Sequence, residues 1–289
     1  MSRSKGYIRE THDYNHSLDL QVIEDTAPAF FSTQKRPDRS DNFAHFGTWE
    51  LWEPMHDLGY VPVQVMQSGA RDASNLIYAG VLTRWRSVTD LGSSAPEIFE
   101  IITVNADNGT RSFKFLPGYL RSICTNGCVF GTFMHTLTIQ HRRTWLDDAV
   151  EQVTRLTRNS VRVMEVIDDY KRIEIEPDVQ LQIAEYVHQE RFGSREVPFT
   201  AQTLLVPIDR DRRDMNILYS VGQDIQRHVM RGGDTVEGAA GRRASTTRPV
   251  HAVRDYVRVN SAVSDAMETI RRKTLGIPLD AVIVEGTLV

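Results

Sequence analysis

The pattern of hydrophobic and polar positions changes period along the chain. Between Val61 and Phe115 apolar residues come in short runs or alternate; beyond Trp145 they recur every three to four residues. The first pattern predicts strands and the second amphipathic helices. VPVQV (61–65) reads as a strand entering a sheet. NLIYAGVLTRWRSV (75–88), IFEIITVN (98–105) and RSFKF (111–115) read as an antiparallel meander, rich in β-branched and aromatic residues. Asn108-Gly109 supplies a hairpin turn that takes positive φ. Phe113 and Phe115 alternate with Lys114, which predicts one apolar and one basic sheet face. HTLTIQH (135–141) alternates again as a strand.

Trp145 to Tyr170 reads as one long helix, with Leu146, Val150, Val153, Leu156, Val161, Met164 and Ile167 close to helical spacing. Asp147 and Asp148 in its first turn suit the macrodipole. Arg155, Arg158 and Arg162 share another face, with Glu151 and Glu165 within pairing distance. That stripe is either self-paired and solvated or a phosphate contact. Further helices are predicted from Pro177 to a glycine cap at Gly193, from about Asp214 to Arg231 before Gly232-Gly233, and from Val253 to Leu275. Arg271, Arg272 and Lys273 close the last one, where positive charge suits the dipole. Between them lies the irregular DTVEGAAGRRASTTRPV (234–250). The aromatics Phe43, Phe46, Trp49 and Trp52 fall on a short helix before Gly59 and read as core.

The fold class expected is therefore α+β: a curved antiparallel sheet followed by a long helix, then a mostly helical C-terminal half. The boundaries read as 1–41 for a flexible, polar N-terminal arm, 42–177 for a β-rich core with the long helix, and 178–289 for the helical half packed on it.

A chain of 289 residues buries a full core without covalent staples. A net charge of −4 excludes a uniformly basic coat protein but not local basic patches. The cations are 29 Arg against five Lys, and Arg suits bidentate phosphate contacts, although GC-rich codon usage gives the same bias. Two cysteines, no apolar leader and no apolar run of about 20 residues predict a reduced, cytoplasmic protein with no membrane contact.

Cys124, Cys128, His135 and His141 form C-x3-C-x6-H-x5-H, a weak zinc pattern. The segment alternates as a strand and both cysteines fit as small buried hydrophobes, so no metal or other cofactor is expected. A Cys124–His141 nucleophile pair has only nearness in sequence behind it. No Walker or dinucleotide glycine pattern occurs, and adjacent carboxylates face different ways on helices. The chain carries no catalytic signature, and a non-enzymatic role is expected. What remains is basic clusters with aromatics on separate elements: HRRTW (141–145), IQRHVMRGG (225–233), GRRASTTRP (241–249) and IRRK (270–273). Single-strand binders join a basic channel to stacking rings. Arg121, Arg142, Arg143, Arg231, Arg242, Arg243 and Arg248 are the candidate phosphate contacts, and Tyr119 and Trp145 the candidate platforms.

Two blocks, FLPGYLRSICTNGCVFG (115–131) with IQHRRTW (139–145), and MNILYSVGQDIQRHVMRGG (215–233) with GRRASTTRPVHAV and VRVNSAV, resemble a known family. It is the phage- and plasmid-encoded family catalogued as domain of unknown function number 932, the phage/plasmid-like proteins. Arg121, Cys124, Asn126, Gly127 and His141 match its first pattern. Gln226, Arg231, Gly232, Gly233, Arg242, Arg243, Arg248 and Asn260 match its second. Cys128 departs from the family's usual aliphatic residue and Tyr219 from its common Trp. The resemblance implies a mobile-element protein. A meander feeding a long helix is also similar to ring-forming single-strand annealing proteins, which implies a homo-oligomer. The expected function is single-stranded DNA binding, with ATP-independent annealing or recombination. The alternative is an interaction protein that inhibits a host defence or replication factor.

Overall fold

The computed structural model describes residues 9–39, 45–70, 72–106, 113–121, 126–130, 137–139, 145–193, 197, 199–208, 214–233, 235–236, 245–250, 252–279, 283–284 and 287–288. The chain forms two compact units: Met1–Gly127 with His135–Ser160 and His251–Arg254, and Cys128–Met134 with Val161–Val250 and Asp255–Val289. This division differs from the boundary expected at residue 177. The chain passes between units several times, so neither is a single stretch of sequence.

The first unit is built on a curled antiparallel sheet. Its strands are β1 (Arg9–His12), β2 (Tyr60–Gln67), β3 (Val81–Ser87), β4 (Glu97–Asn105), β5 (Phe113–Arg121), β6 (Asn126–Val129) and β7 (Leu137–Ile139). They run in the order β1-β2-β3-β4-β5-β6, with β7 also on β5. Residues 9–39 of the expected arm belong to this unit: β1 extends the sheet, and Ile23 of α1 (Leu20–Thr26) and Phe30 are buried. Pro62, which has no N–H to give a ladder, sits at a register shift between Pro62 and Gln64, where a bulge tolerates it.

Register assigns the two faces. Directly opposed residues share a face, so Trp85, Ile101, Thr103, Phe113 and Phe115 lie together. This face is the apolar core. Phe30 lies 6.4 Å from Trp85, and the Trp85 indole donates to Thr103 at 2.9 Å. The buried amides there are answered: Gln67 accepts from the Ala29 N–H at 2.9 Å, and Asn105 donates to the Phe46 carbonyl at 2.6 Å. Of the aromatics expected in the core, Phe46 is buried. Trp49 instead is 38% exposed and stacks on Trp52 of α2 (Trp52–Asp57) at 5.4 Å. Phe43 lies outside the described residues.

The helix expected over 145–170 is two helices, α3 (Trp145–Arg158) and α4 (Ser160–Arg172). Asn159 and Ser160, both weak helix formers, mark the break, where the Asn159 N–H is shared between the carbonyls of Arg155 and Leu156, each at 3.1 Å. α3 packs through Ala149, Val153 and Leu156 on β5 and β7 in the first unit.

The second unit contains α4, α5 (Pro177–Phe192), α6 (Leu218–Arg231) and α7 (Val253–Leu275), with the short pairs β8 (Thr235–Val236)–β9 (Ser245–Thr246) and β10 (Ile283–Val284)–β11 (Thr287–Leu288). α6 is its centre, buried from Leu218 to Met230 except at Arg227. Its polar side chains are enclosed too, and three of them reach partners on other segments. Gln223 hydrogen-bonds the Cys128 thiol, Gln226 donates to Asn260 at 3.1 Å, and His228 meets the Val206 carbonyl at 2.9 Å. No helix among the described residues is long and apolar enough to cross a membrane.

Candidate nucleic-acid interface

The structure separates the arginines into two physical classes. The first is buried. On the sheet face opposite the aromatic core, Arg84 and Arg86 lie two residues apart on β3 and face Glu100 of β4. All three side chains are 0% exposed. Glu100 takes Arg84 Nε on one oxygen and Arg86 Nη2, at 2.6 Å, on the other. The remaining guanidinium groups reach main chain: Arg84 Nη2 donates to the Tyr119 carbonyl at 2.9 Å and Arg86 Nη1 to the Tyr14 carbonyl at 2.6 Å. The Arg86–Tyr14 bond ties the segment after β1 to β3. Gln64, which donates to Glu10, ties β1 to the same face. The basic sheet face expected from Lys114 is thus largely a buried, acid-paired one. Lys114 itself is half-buried.

A second buried network lies in the helical unit. Glu268 accepts from Arg271 at 2.9 Å, from Arg272 at 2.7 Å and from the Tyr170 hydroxyl at 3.1 Å, and Arg271 also pairs with Asp169 at 2.9 Å. The last-turn arginines of α7 therefore do more than complement a helix dipole; both are nearly inaccessible and hold α4 to α7. Burial, reinforced by the Glu268 charge, raises the Tyr170 hydroxyl well above the ordinary tyrosine range. Tyr170→Phe is expected to lower stability by about 1.5–3 kcal/mol, the worth of a hydrogen bond to a charged group. Urea unfolding of the variant checks it; a change near zero would mean that the hydroxyl does not support Glu268.

The second class is exposed and includes Arg231 and Arg248 of the helical unit. Near them is the β8–β9 pair, where register opposes Thr235 to Thr246 and Val236 to Ser245. Its base is closed on α6. The Gly233 N–H donates to the Thr247 carbonyl at 2.9 Å and the Val250 N–H to the Met230 carbonyl at 3.0 Å. Gly232 has φ +63°, and a Cβ there would lie 2.6 Å from the Thr247 oxygen and 2.7 Å from the Arg248 carbonyl carbon. Only glycine admits this approach to the Thr247–Arg248 backbone. Arg231 and Arg248 are both exposed. No acid pairs with Arg248 among the described residues.

The sequence-based candidates distribute as follows. Arg231 ends α6 and Arg248 follows β9, both exposed. Arg121 ends β5, half-buried, in the other unit. Tyr119 is 3% exposed, so its ring is core and closed to a stacking base. Trp145 begins α3. Arg142, Arg143, Arg242, Arg243, Cys124, His135 and His141 lie outside the described residues. Cys128 is buried against Gln223, and no group of His, Cys, Asp or Glu among the described residues suits a metal. In the stripe on α3 and α4, only Arg162 pairs with its acid, Glu165 at 2.7 Å; Arg155 and Arg158 have no acidic partner among the described residues. Sequence reasoning missed Arg84, Arg86 and Glu100. Their signal is present: two Arg at strand spacing around a Trp, and one acid inside an apolar strand.

Comparison with known proteins adds the family. The model of the domain of unknown function DUF932 matches residues 65–263, more than half of the chain. The chain belongs to the DUF932 family. It is similar to the UPF0380 protein YfjQ of Escherichia coli strain K12, 28% identical over 253 residues that cover 88% of this chain and 91% of the relative. It is likewise similar to the UPF0380 protein YafZ of the same strain, 28% identical over 246 residues that cover 85% and 89%. No solved structure matches the chain.

Within this DUF932 chain, the matched span contains both the buried Arg84–Glu100–Arg86 triad and the β8–β9 hairpin. Two residues that carried the resemblance from opposite ends of the second block, Gln226 and Asn260, are partners across α6 and α7. Gly232 and Gly233 serve the base of the β8–β9 pair. These positions are architectural here, and among the described residues of that block Arg248 is exposed without an acidic partner.

Proposed function

We propose that this DUF932 protein binds single-stranded nucleic acid through arginines at the β8–β9 hairpin, as a DNA-metabolism protein of phage or plasmid origin that pairs strands without ATP. The observation that carries the reading is Arg248, exposed at the base of the β8–β9 pair with no acidic partner among the described residues, while the arginines of the sheet and of α7 are consumed by acids. Guanidinium groups without acidic partners are the ones free to release counterions from a polyanion.

The test is fluorescence anisotropy of a labelled single-stranded oligonucleotide over a salt series. Phosphate contacts on a single strand each contribute about 0.7 to the slope of log K against log salt. Contacts from Arg231, Arg242, Arg243 and Arg248 give a slope near −2.8 and an affinity loss of about fiftyfold between ~50 and ~200 mM salt. Absence of binding at the lowest salt would exclude the reading. A second reading, an interaction protein directed at a host factor, is favoured by the net charge of −4. It predicts specific capture of one host protein and no oligonucleotide binding.

A further inference from the structure

We infer that Arg191 is the clasp that fixes the β8–β9 hairpin in place: a positioning residue, not a phosphate contact. It lies in the last turn of α5 and sends its guanidinium to two distant pieces of main chain. Nε donates to the Val229 carbonyl at 3.1 Å, and Nη2 donates to the Arg248 carbonyl at 3.0 Å. Val229 is in the last turn of α6, where helix carbonyls lack intrahelical donors. Arg248 lies on the returning side of the hairpin. One planar group therefore spans the helix end and the hairpin base, beside the Gly233–Thr247 and Val250–Met230 bonds.

The chemistry suits a clasp. A guanidinium holds several donors in a rigid fork and reaches two carbonyls at once, which a lysine ammonium on a flexible stem does poorly. The group rests against the Phe192 ring at 5.1 Å, and Phe192 packs on Phe199, so the stem is held on its own helix. Burial lowers the Arg191 pKa, partly offset by Asp255, which fits a cation turned inward toward carbonyls. Arg248, in contrast, gives its carbonyl to the clasp and leaves its own guanidinium at the surface. The two arginines have opposite jobs: Arg191 sets position and Arg248 offers charge.

The assignment rests on the nucleic-acid reading only for its second readout. The first is hydrogen–deuterium exchange of peptides covering 229–236 and 245–253. In Arg191→Ala, and in Arg191→Gln as a milder variant, these peptides are expected to exchange about tenfold faster or more, the loss of a charge-assisted hydrogen bond, while α4 peptides stay unchanged. Arg191→Lys is expected to restore little. The second readout is oligonucleotide binding. Arg191→Ala is expected to weaken it several-fold with an unchanged salt slope, whereas Arg248→Ala lowers the slope by about 0.7. Unchanged exchange at the hairpin base overturns the clasp. A salt slope reduced in Arg191→Ala as in Arg248→Ala also overturns it, because Arg191 would then touch phosphate itself. Should the wild-type protein bind no oligonucleotide, the functional reading fails and the clasp stands or falls on exchange alone.

Discussion

Glu100→Ala is expected to destabilise the β-rich unit by about 3–5 kcal/mol, a large fraction of the ~5–15 kcal/mol of an ordinary domain. The substitution removes the carboxylate that Arg84 and Arg86 share and leaves two inaccessible guanidinium groups, which also donate to the carbonyls of Tyr119 and Tyr14, without it. An uncompensated buried charge is among the costliest defects a fold can carry. Because Arg86 also holds the segment after β1, the loss should reach the sheet edge, and β1 should exchange its amides early. Replacing the triad as a whole, Arg84→Met with Glu100→Leu and Arg86→Met, is expected to cost far less than Glu100→Ala, since apolar residues of similar volume often substitute for buried ion groups without penalty. Urea unfolding of the two variants decides the matter. If Glu100→Ala costs less than about 1 kcal/mol, the three side chains are not the closed ionic unit described above.

The second large effect is at the hairpin base. Gly232→Ala is expected to cost about 3 kcal/mol or to detach the hairpin from α6. Two effects add. The backbone at φ 63°, ψ −157° is a region essentially reserved for glycine, worth about 1–3 kcal/mol of strain to any other residue. The added Cβ also meets backbone atoms of Thr247 and Arg248, which no rotamer change can move aside. Gly193 supplies the control. It closes α5 at φ 63°, ψ −146°, yet a Cβ there meets nothing within 4 Å. Gly193→Ala should therefore show the strain alone. Equal costs at the two positions, measured by urea unfolding, would contradict the close approach at Gly232.

How much of this was written in the sequence depends on the range of the interaction. The strands at VPVQV and IFEIITVN, the inward Phe113 and Phe115, the Pro177 start and the glycine stops at Gly193 and Gly232 are local preferences, and each appears where its residues predict. The break at Asn159 was missed because the apolar spacing continues on both sides of it, and two weak helix formers lower propensity without changing the pattern. The burial of Trp49 was overstated because an aromatic row on a short helix does not reveal which ring faces outward. The arginines are the instructive failure. Charge clusters in sequence were read by proximity, so the Arg271–Arg272 run looked like a surface feature. Its neutralising acids, Glu268 and Asp169, include one 102 positions away. Arg191 had no signal at all, since a side chain that donates to main-chain carbonyls leaves no complementary residue type to find. In the second block of the family pattern, Gly232 and Gly233 do meet the Thr247–Arg248 backbone.

Arg242, Arg243 and Arg248 are the proposed polyanion contacts, and the acid-paired arginines of the sheet and of α7 are structural. The most direct measurement is the salt dependence of single-stranded oligonucleotide binding by the wild-type protein and by the Arg242→Ala, Arg243→Ala, Arg248→Ala triple variant. The account predicts a slope reduced by about 2 in the variant, about 0.7 for each lost contact, with an unchanged urea midpoint. A wild-type protein that binds with the same slope as the variant, or does not bind at all, would contradict it.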